Sequence, residues 1–145
     1  MNINPNKGIF IISSFSCGKT TLMKLLPYMV PYQRNYEIIP VRNMVFMFNN
    51  LGFNVIEQYG NNKYYCFDDI GVEAVGRHYG KDCNVVGEIL LSRYDLFLKH
   101  KIKTHATTNL NAQELEERYG NRVRSRMRQL FSLIAFGEES EDKRK

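Results

Sequence analysis

Cysteine is scarce in this 145-residue chain: Cys17, Cys66 and Cys83 are all there is. They are odd in number and scattered, with no Cys-x-x-Cys pair and no cysteine–histidine spacing suited to zinc. That argues against a disulfide framework or a structural zinc site. Cys66 falls in a predicted core strand and reads as a small buried hydrophobe. Long apolar runs are missing too; nothing approaches the roughly 20 residues that a membrane helix needs. The first seven residues lack the layout of a secretory leader, so the expectation is a cytoplasmic protein with no membrane partner. Repeats and linkers are absent. At 17.0 kDa the expectation is one domain, 1–137, followed by a polar tail, 138–145. His78 and His100 sit at predicted loops or helix ends and form no catalytic pattern. The formal charge is +5 and the pI about 9.1, which suits an anionic partner and equally an ordinary basic surface.

What is present is a phosphate-binding pattern. An apolar run, Gly8-Ile9-Phe10-Ile11-Ile12, is followed by Ser16-Cys17-Gly18-Lys19-Thr20-Thr21 and then by a helical stretch. A glycine-bearing loop between a buried strand and a helix lets backbone N–H groups close around phosphates. The positive end of the helix dipole faces the same charge. Lys19 would reach the β- and γ-phosphates, Thr20 would offer its hydroxyl to Mg²⁺, and Thr21 would sit near the α-phosphate. Cys17 lies inside this loop, so alkylating it should block nucleotide. The full pattern has glycine five residues before Gly18, where this chain has Ser13. If that position demands a positive φ, serine there carries strain of about 1 kcal/mol.

Along the chain, strands are predicted at 8–12, 36–41, 63–69, 101–108 and 131–136. A helix at 19–26 should end near Pro27, with a loop at 28–35. Further helices are predicted at 43–51 and 84–100, and at 111–119 and 122–130, broken at Gly120-Asn121. In the 84–100 helix, Val86, Ile89, Leu90, Tyr94, Phe97 and Leu98 form one apolar face. Residues 53–59 are ambiguous, and 72–81, rich in nearby glycine, read as a loop. Strands alternating with helices imply an α/β sandwich on a parallel sheet, with ligands at the carboxyl ends of the strands.

Tyr64-Tyr65-Cys66-Phe67-Asp68-Asp69 places two carboxylates at the end of an apolar strand. Asp68 is the candidate metal-side residue and Asp69 the candidate base for an attacking water. In isolation the pair could equally be a strand end turning into solvent; the upstream phosphate loop favours the site. Thr107-Thr108-Asn109 follows another short strand. Asn109, with Thr108 next, could bond a γ-phosphate, or it could cap the following helix, a task open also to Asn111. Arg118, Arg122, Arg124, Arg126 and Arg128 crowd one segment and, if helical, make a strongly basic surface. One arginine could serve a neighbouring subunit's nucleotide, the cluster could meet nucleic-acid phosphates, or it could be a solvated face paired with Glu114, Glu116 and Glu117.

The GKTT loop, Phe67–Gly71, the stretch 88–97, Thr104–Leu110 and Leu115–Phe136 together resemble the ATPase core of the DnaC/IstB-type helicase loaders, a branch of the AAA+ P-loop proteins. The resemblance covers residues 8–136 and implies a three-layer P-loop NTPase sandwich with a five-stranded parallel sheet in the order 5-1-4-3-2, here without a lid domain. It implies ATP and Mg²⁺ as ligands and ATP-dependent assembly on DNA or a replicative helicase. It also implies Asn109 as the γ-phosphate sensor. Arg126, with Arg122 second, is implied as an arginine finger acting in trans, and so as a point of self-association. Two alternatives stand beside an ATPase: a non-hydrolysing nucleotide-binding adaptor, favoured by Ser13 and the absent lid, and a small P-loop kinase.

Overall fold

The structure is a computed structural model that describes residues 4–13, 18–29, 35–73 and 76–136. The predicted tail 138–145 lies outside them. Five parallel strands form the central sheet: β1 (Gly8–Ser13), β2 (Glu37–Pro40), β3 (Tyr65–Ile70), β6 (Thr104–Thr108) and β7 (Phe131–Phe136). They lie in the order β2-β3-β6-β1-β7. Numbered among themselves and read from β7, that is 5-1-4-3-2.

The two sheet faces are covered unequally. Alternate residues of a strand point to opposite sides. Phe10, Phe67, Ala106 and Phe131 meet the large core built by α2 (Val41–Leu51), α3 (Asn54–Gln58), α4 (Val85–His100) and α5 (Ala112–Leu130). Ile11 and Cys66 face the other way, where Met23 and Leu22 of α1 (Lys19–Met29) cover them. Burial on both faces is why the strands read as continuous apolar runs. Gly8 is required by close approach: a Cβ there would lie 1.6 Å from the Thr104 carbonyl oxygen.

Helix α1 does not stop at Pro27; the proline lies inside it. Proline cannot donate to the carbonyl four residues back, which belongs to Met23. The Tyr36 hydroxyl donates to that carbonyl instead. The replacement donor comes from a segment distant in sequence, so the helix continues.

The glycine-rich stretch predicted as a loop contains a small antiparallel hairpin, β4 (Gly76–His78) and β5 (Lys81–Cys83), outside the main sheet. Tyr79 and Gly80 both have positive φ, 51° and 77°, which is the turn geometry that matches strand twist. The hairpin is held on α2 by Asn49, whose side-chain oxygen accepts from the Arg77 N–H at 2.7 Å.

In α4 the predicted apolar face is corrected at one end. Val86, Ile89 and Leu90 are buried, but Leu98 is half exposed. The fully buried long side chain is Arg93. Its guanidinium donates to Thr104 Oγ1 and to the carbonyls of Tyr59, Asn61, Lys63 and Lys103, and it lies over the Tyr65 ring.

His105 on β6 is completely buried, accepts the Ile9 N–H on Nδ1 at 3.0 Å and packs on Tyr36. Burial first, and Lys103 and Arg93 next, push its pKa down to about 3 from 6.5. A depressed histidine contributes stability above its unfolded pKa, and that contribution is lost as pH falls. Between pH 6.5 and 3 the loss should reach roughly 4–5 kcal/mol, since one pKa unit is worth about 1.4 kcal/mol. Urea unfolding at pH 7 and pH 4 should show a steep decline that His105→Gln flattens. An equal decline in both proteins would assign the acid sensitivity to other groups.

Candidate functional site

The carboxyl edge of the sheet gathers side chains from three separate segments. Helix α1 begins directly after Gly18, whose φ of 93° is a left-handed value that glycine adopts freely. Leu22 N–H donates to the Gly18 carbonyl at 2.8 Å, closing the first helical turn. Lys19 is buried, and its ammonium donates to Asn109 Oδ1. The Thr20 hydroxyl donates to Asp68, 2.9 Å from Oδ2 and 3.1 Å from Oδ1. Thr21 is exposed in the first turn of α1. Ser16 and Cys17 lie outside the described residues.

The strain expected at Ser13 is not found. Among the described residues the non-glycine positions with positive φ are Asp69, Tyr79 and Lys101. β1 runs one residue further than predicted, and Ser13 is its last member, paired with Phe136.

Asp68 is buried and also accepts from Thr107 Oγ1 at 2.7 Å, while that same Thr107 oxygen accepts the Asp69 N–H at 2.9 Å. The β3–β6 register shifts between Phe67 and Ile70, and Asp69 inside the shift has φ 61°. The two adjacent carboxylates meet different groups. Asp68 turns to Thr20 and Thr107, while Asp69 lines, with Asp68, Arg42 and Val72, a cavity of about 350 Å³. Burial foremost, and Asp68 next, hold the Asp69 carboxyl above its ordinary pKa, with Lys19 and Arg42 opposing. A raised carboxylate is a stronger proton acceptor, which suits a general base.

Thr107 was not singled out by the sequence reading. The signal was available: period 2 along β6 puts residue 107 on the same side as Asn109 and the opposite side from Thr108. Thr108, the second choice as sensor, instead donates to the Ile70 carbonyl at 2.6 Å and accepts the Leu110 N–H. Capping falls to Asn111, which forms a reciprocal capping box with Glu114 and leaves Asn109 to Lys19.

The five arginines do not share one surface. Arg118 is tied to Glu73, Arg124 is buried, Arg126 lies over the Tyr94 ring at 4.9 Å, Arg128 pairs with Glu116 at 3.9 Å, and Arg122 is exposed. Gly120 interrupts the helical dihedrals of α5 with φ 85°, at the predicted break. α5 starts beside the site and runs into β7 at the opposite edge of the sheet, and Arg126 lies in the half of α5 beyond the break at Gly120. It is not brought together with Lys19, Asp68 and Asn109 of its own chain.

Glu73 is a second feature missed in the sequence. Its buried carboxylate accepts from the Gly71 N–H at 2.7 Å, from the Tyr119 hydroxyl and from Arg118 Nε, while its carbonyl accepts from Arg118. It anchors the segment leaving Asp69 to α5 just before the break at Gly120. Gly71, with φ 105°, leaves room for Leu110; a Cβ would come within 2.4 Å of it.

Among the described residues no group of three or more His, Cys, Asp or Glu side chains could hold a metal by itself. The Thr20 hydroxyl and the Asp68 carboxylate are hard oxygen donors 2.9 Å apart, the sparse set that suits Mg²⁺ completed by phosphate oxygens and water. Among the described residues no helix is long and apolar enough to cross a membrane.

No family model and no curated protein matches this sequence. Solved structures do. The DnaC helicase loader aligns over 93% of this chain and 82% of its own, with 20% identity and a TM-score of 0.66. DnaI aligns over 93% and 76%, with 21% identity and a TM-score of 0.65. A protein described as a primosome component from Streptococcus pyogenes serotype M3 aligns over 90% and 68%, with 18% identity and a TM-score of 0.66. At these identities the likeness is one of fold, and the fold of this chain is the P-loop NTPase sandwich.

Proposed function

We propose that this chain binds ATP with Mg²⁺ and hydrolyses it, working as a replication protein of the helicase-loader kind. The observation that carries the reading is the convergence of Lys19, Thr20, Asp68 and Asn109, from α1, β3 and the end of β6, at one edge of the sheet. Backbone N–H groups at residues 16–21 and the α1 N-terminus would receive the phosphates. Lys19 would shift its ammonium from Asn109 towards the β- and γ-oxygens, and Asn109 would contact the γ-phosphate. Thr20 and Asp68 would hold Mg²⁺, which neutralises charge on those oxygens. Asp69 would orient the attacking water and take its proton. Arg126, remote from its own site, would act on a neighbouring copy's ATP. DNA or a replicative helicase is the partner class in keeping with the helicase-loader fold. Tyr79, 93% exposed at the hairpin tip, offers a ring of the kind on which single-stranded bases stack.

The experiment is an ATP titration with Mg²⁺, wild type against Lys19→Ala. Saturable binding in wild type, weakened by about 100-fold or more in the variant, is the expected result. Equal binding by both proteins would sink the site. Binding with no phosphate release at high protein concentration would leave the non-hydrolysing adaptor, and release only with an added acceptor would indicate a kinase. A single-stranded oligonucleotide that fails to bind at low salt would remove DNA from the partners.

A further inference from the structure

The geometry points to Tyr94 as a positioning residue that holds Arg126 ready for the nucleotide of a neighbouring copy. The inference rests on the proposed role of Arg126 and adds a second residue to it. Tyr94 lies on α4 and Arg126 on α5, and the guanidinium carbon stands 4.9 Å from the ring centroid. The ring is itself oriented, because its hydroxyl donates to Gln129 Oε1 at 2.7 Å.

Both supports are anchored in the fold. Tyr94 follows Arg93, whose fully buried guanidinium ties α4 to the segments entering β3 and β6. Arg126 sits beside Met127, and both Met127 and Val123 are core residues. The two side chains are themselves half-buried, so the guanidinium can be held and still be reached from outside.

The chemistry of the contact matters more than its strength. Arg128 meets a carboxylate and Arg118 another, and a carboxylate partner would compete directly with phosphate for the guanidinium. Arg126 meets a ring face. A cation–π contact restricts the side chain without neutralising its charge and leaves the in-plane N–H groups free to donate. Pre-ordering of this sort removes rotamer freedom that would otherwise be lost in reaching the transition state. It should act on turnover and leave ATP affinity alone.

Two measurements test it. In the nucleotide-free protein, the Arg126 Nε–H NMR signal should be ring-shifted in wild type and in Tyr94→Phe. In Tyr94→Ala it should move to the position of a free arginine. In ATP turnover, Tyr94→Ala should lower kcat by about tenfold with KM for ATP unchanged, and Tyr94→Phe, which keeps the ring but loses its bond to Gln129, should lie between wild type and Tyr94→Ala. Mixing Tyr94→Ala with Lys19→Ala subunits should restore turnover, since the second variant keeps an intact Tyr94–Arg126 pair to lend. A folding defect in Tyr94→Ala would not be repaired by mixing. Wild-type kcat in Tyr94→Ala beside a slow Arg126→Ala control overturns the inference alone, as does an unchanged Arg126 signal. Wild-type kcat in Arg126→Ala overturns the parent reading and this inference together, so the two failures are told apart.

Discussion

Arg126→Ala is expected to lower ATP turnover by about 10³-fold or more while ATP affinity stays within a few fold of wild type. The asymmetry follows from where the residue lies. Arg126 lies beyond the break at Gly120, in the half of α5 that runs into β7 at the sheet edge opposite Lys19 and Asp68, so it is placed away from the phosphates its own chain would hold. Its contribution would come from a second copy and would be made to charge that develops only as the γ-phosphoryl group departs. An interaction made only in the transition state lowers kcat and kcat/KM together and leaves ground-state binding alone. Wild-type turnover should therefore rise more than linearly with protein concentration, and Arg126→Ala should stay slow at every concentration. Loss of ATP binding in Arg126→Ala would assign the residue to its own site or to the fold. Turnover strictly linear in protein would remove the neighbour.

The second large effect is on stability. Arg93→Met should destabilise the fold by about 3–5 kcal/mol, a substantial part of the roughly 5–15 kcal/mol of a typical domain. Arg93 is completely buried, and no carboxylate pairs with it among its described contacts. Its partners are four backbone carbonyls and one hydroxyl. Those carbonyls belong to the turn at residues 59–63 and to Lys103, where the chain enters β3 and β6. Burial lowers its pKa to about 10, so the group stays charged at neutral pH and its hydrogen bonds carry that charge. Methionine fills much of the volume but leaves the carbonyls without a donor, each costing about 1–3 kcal/mol if water cannot follow. Arg93→Lys keeps the charge with fewer donors and should recover only part of the loss. Urea unfolding of the three proteins measures it. A difference under 1 kcal/mol for Arg93→Met would mean that water replaces the guanidinium at little cost.

The site was legible in the sequence to the extent that its parts are local. Gly18-Lys19-Thr20 and Asp68-Asp69 are short stretches whose residue types announce their chemistry next to strands that announce themselves by apolar runs. The capping box of Asn111 and Glu114 and the break at Gly120 are equally local, since each depends on residues at most three apart. Thr107, Glu73 and Arg93 were not legible for a shared reason. Each is a polar residue with at least one hydrogen-bond partner 30 or more positions away, and a polar side chain alone in a sequence looks solvated. The same holds for Pro27, which stops a helix unless a distant hydroxyl takes over the freed carbonyl, as Tyr36 does.

The sequence by itself determined the alternation of strands and helices, the Gly18-Lys19-Thr20 stretch at the start of α1 and the paired carboxylates at the end of β3, because backbone propensity, apolar period and glycine geometry act over a few residues. Only the tertiary structure decided that Thr107 joins Thr20 on Asp68, that Asn109 goes to Lys19 while Asn111 caps, and that five clustered arginines part into separate environments. Those outcomes depend on the packing of α4 on α5 and on the register between strands, where a shift of one residue reverses the face that every side chain of a strand presents.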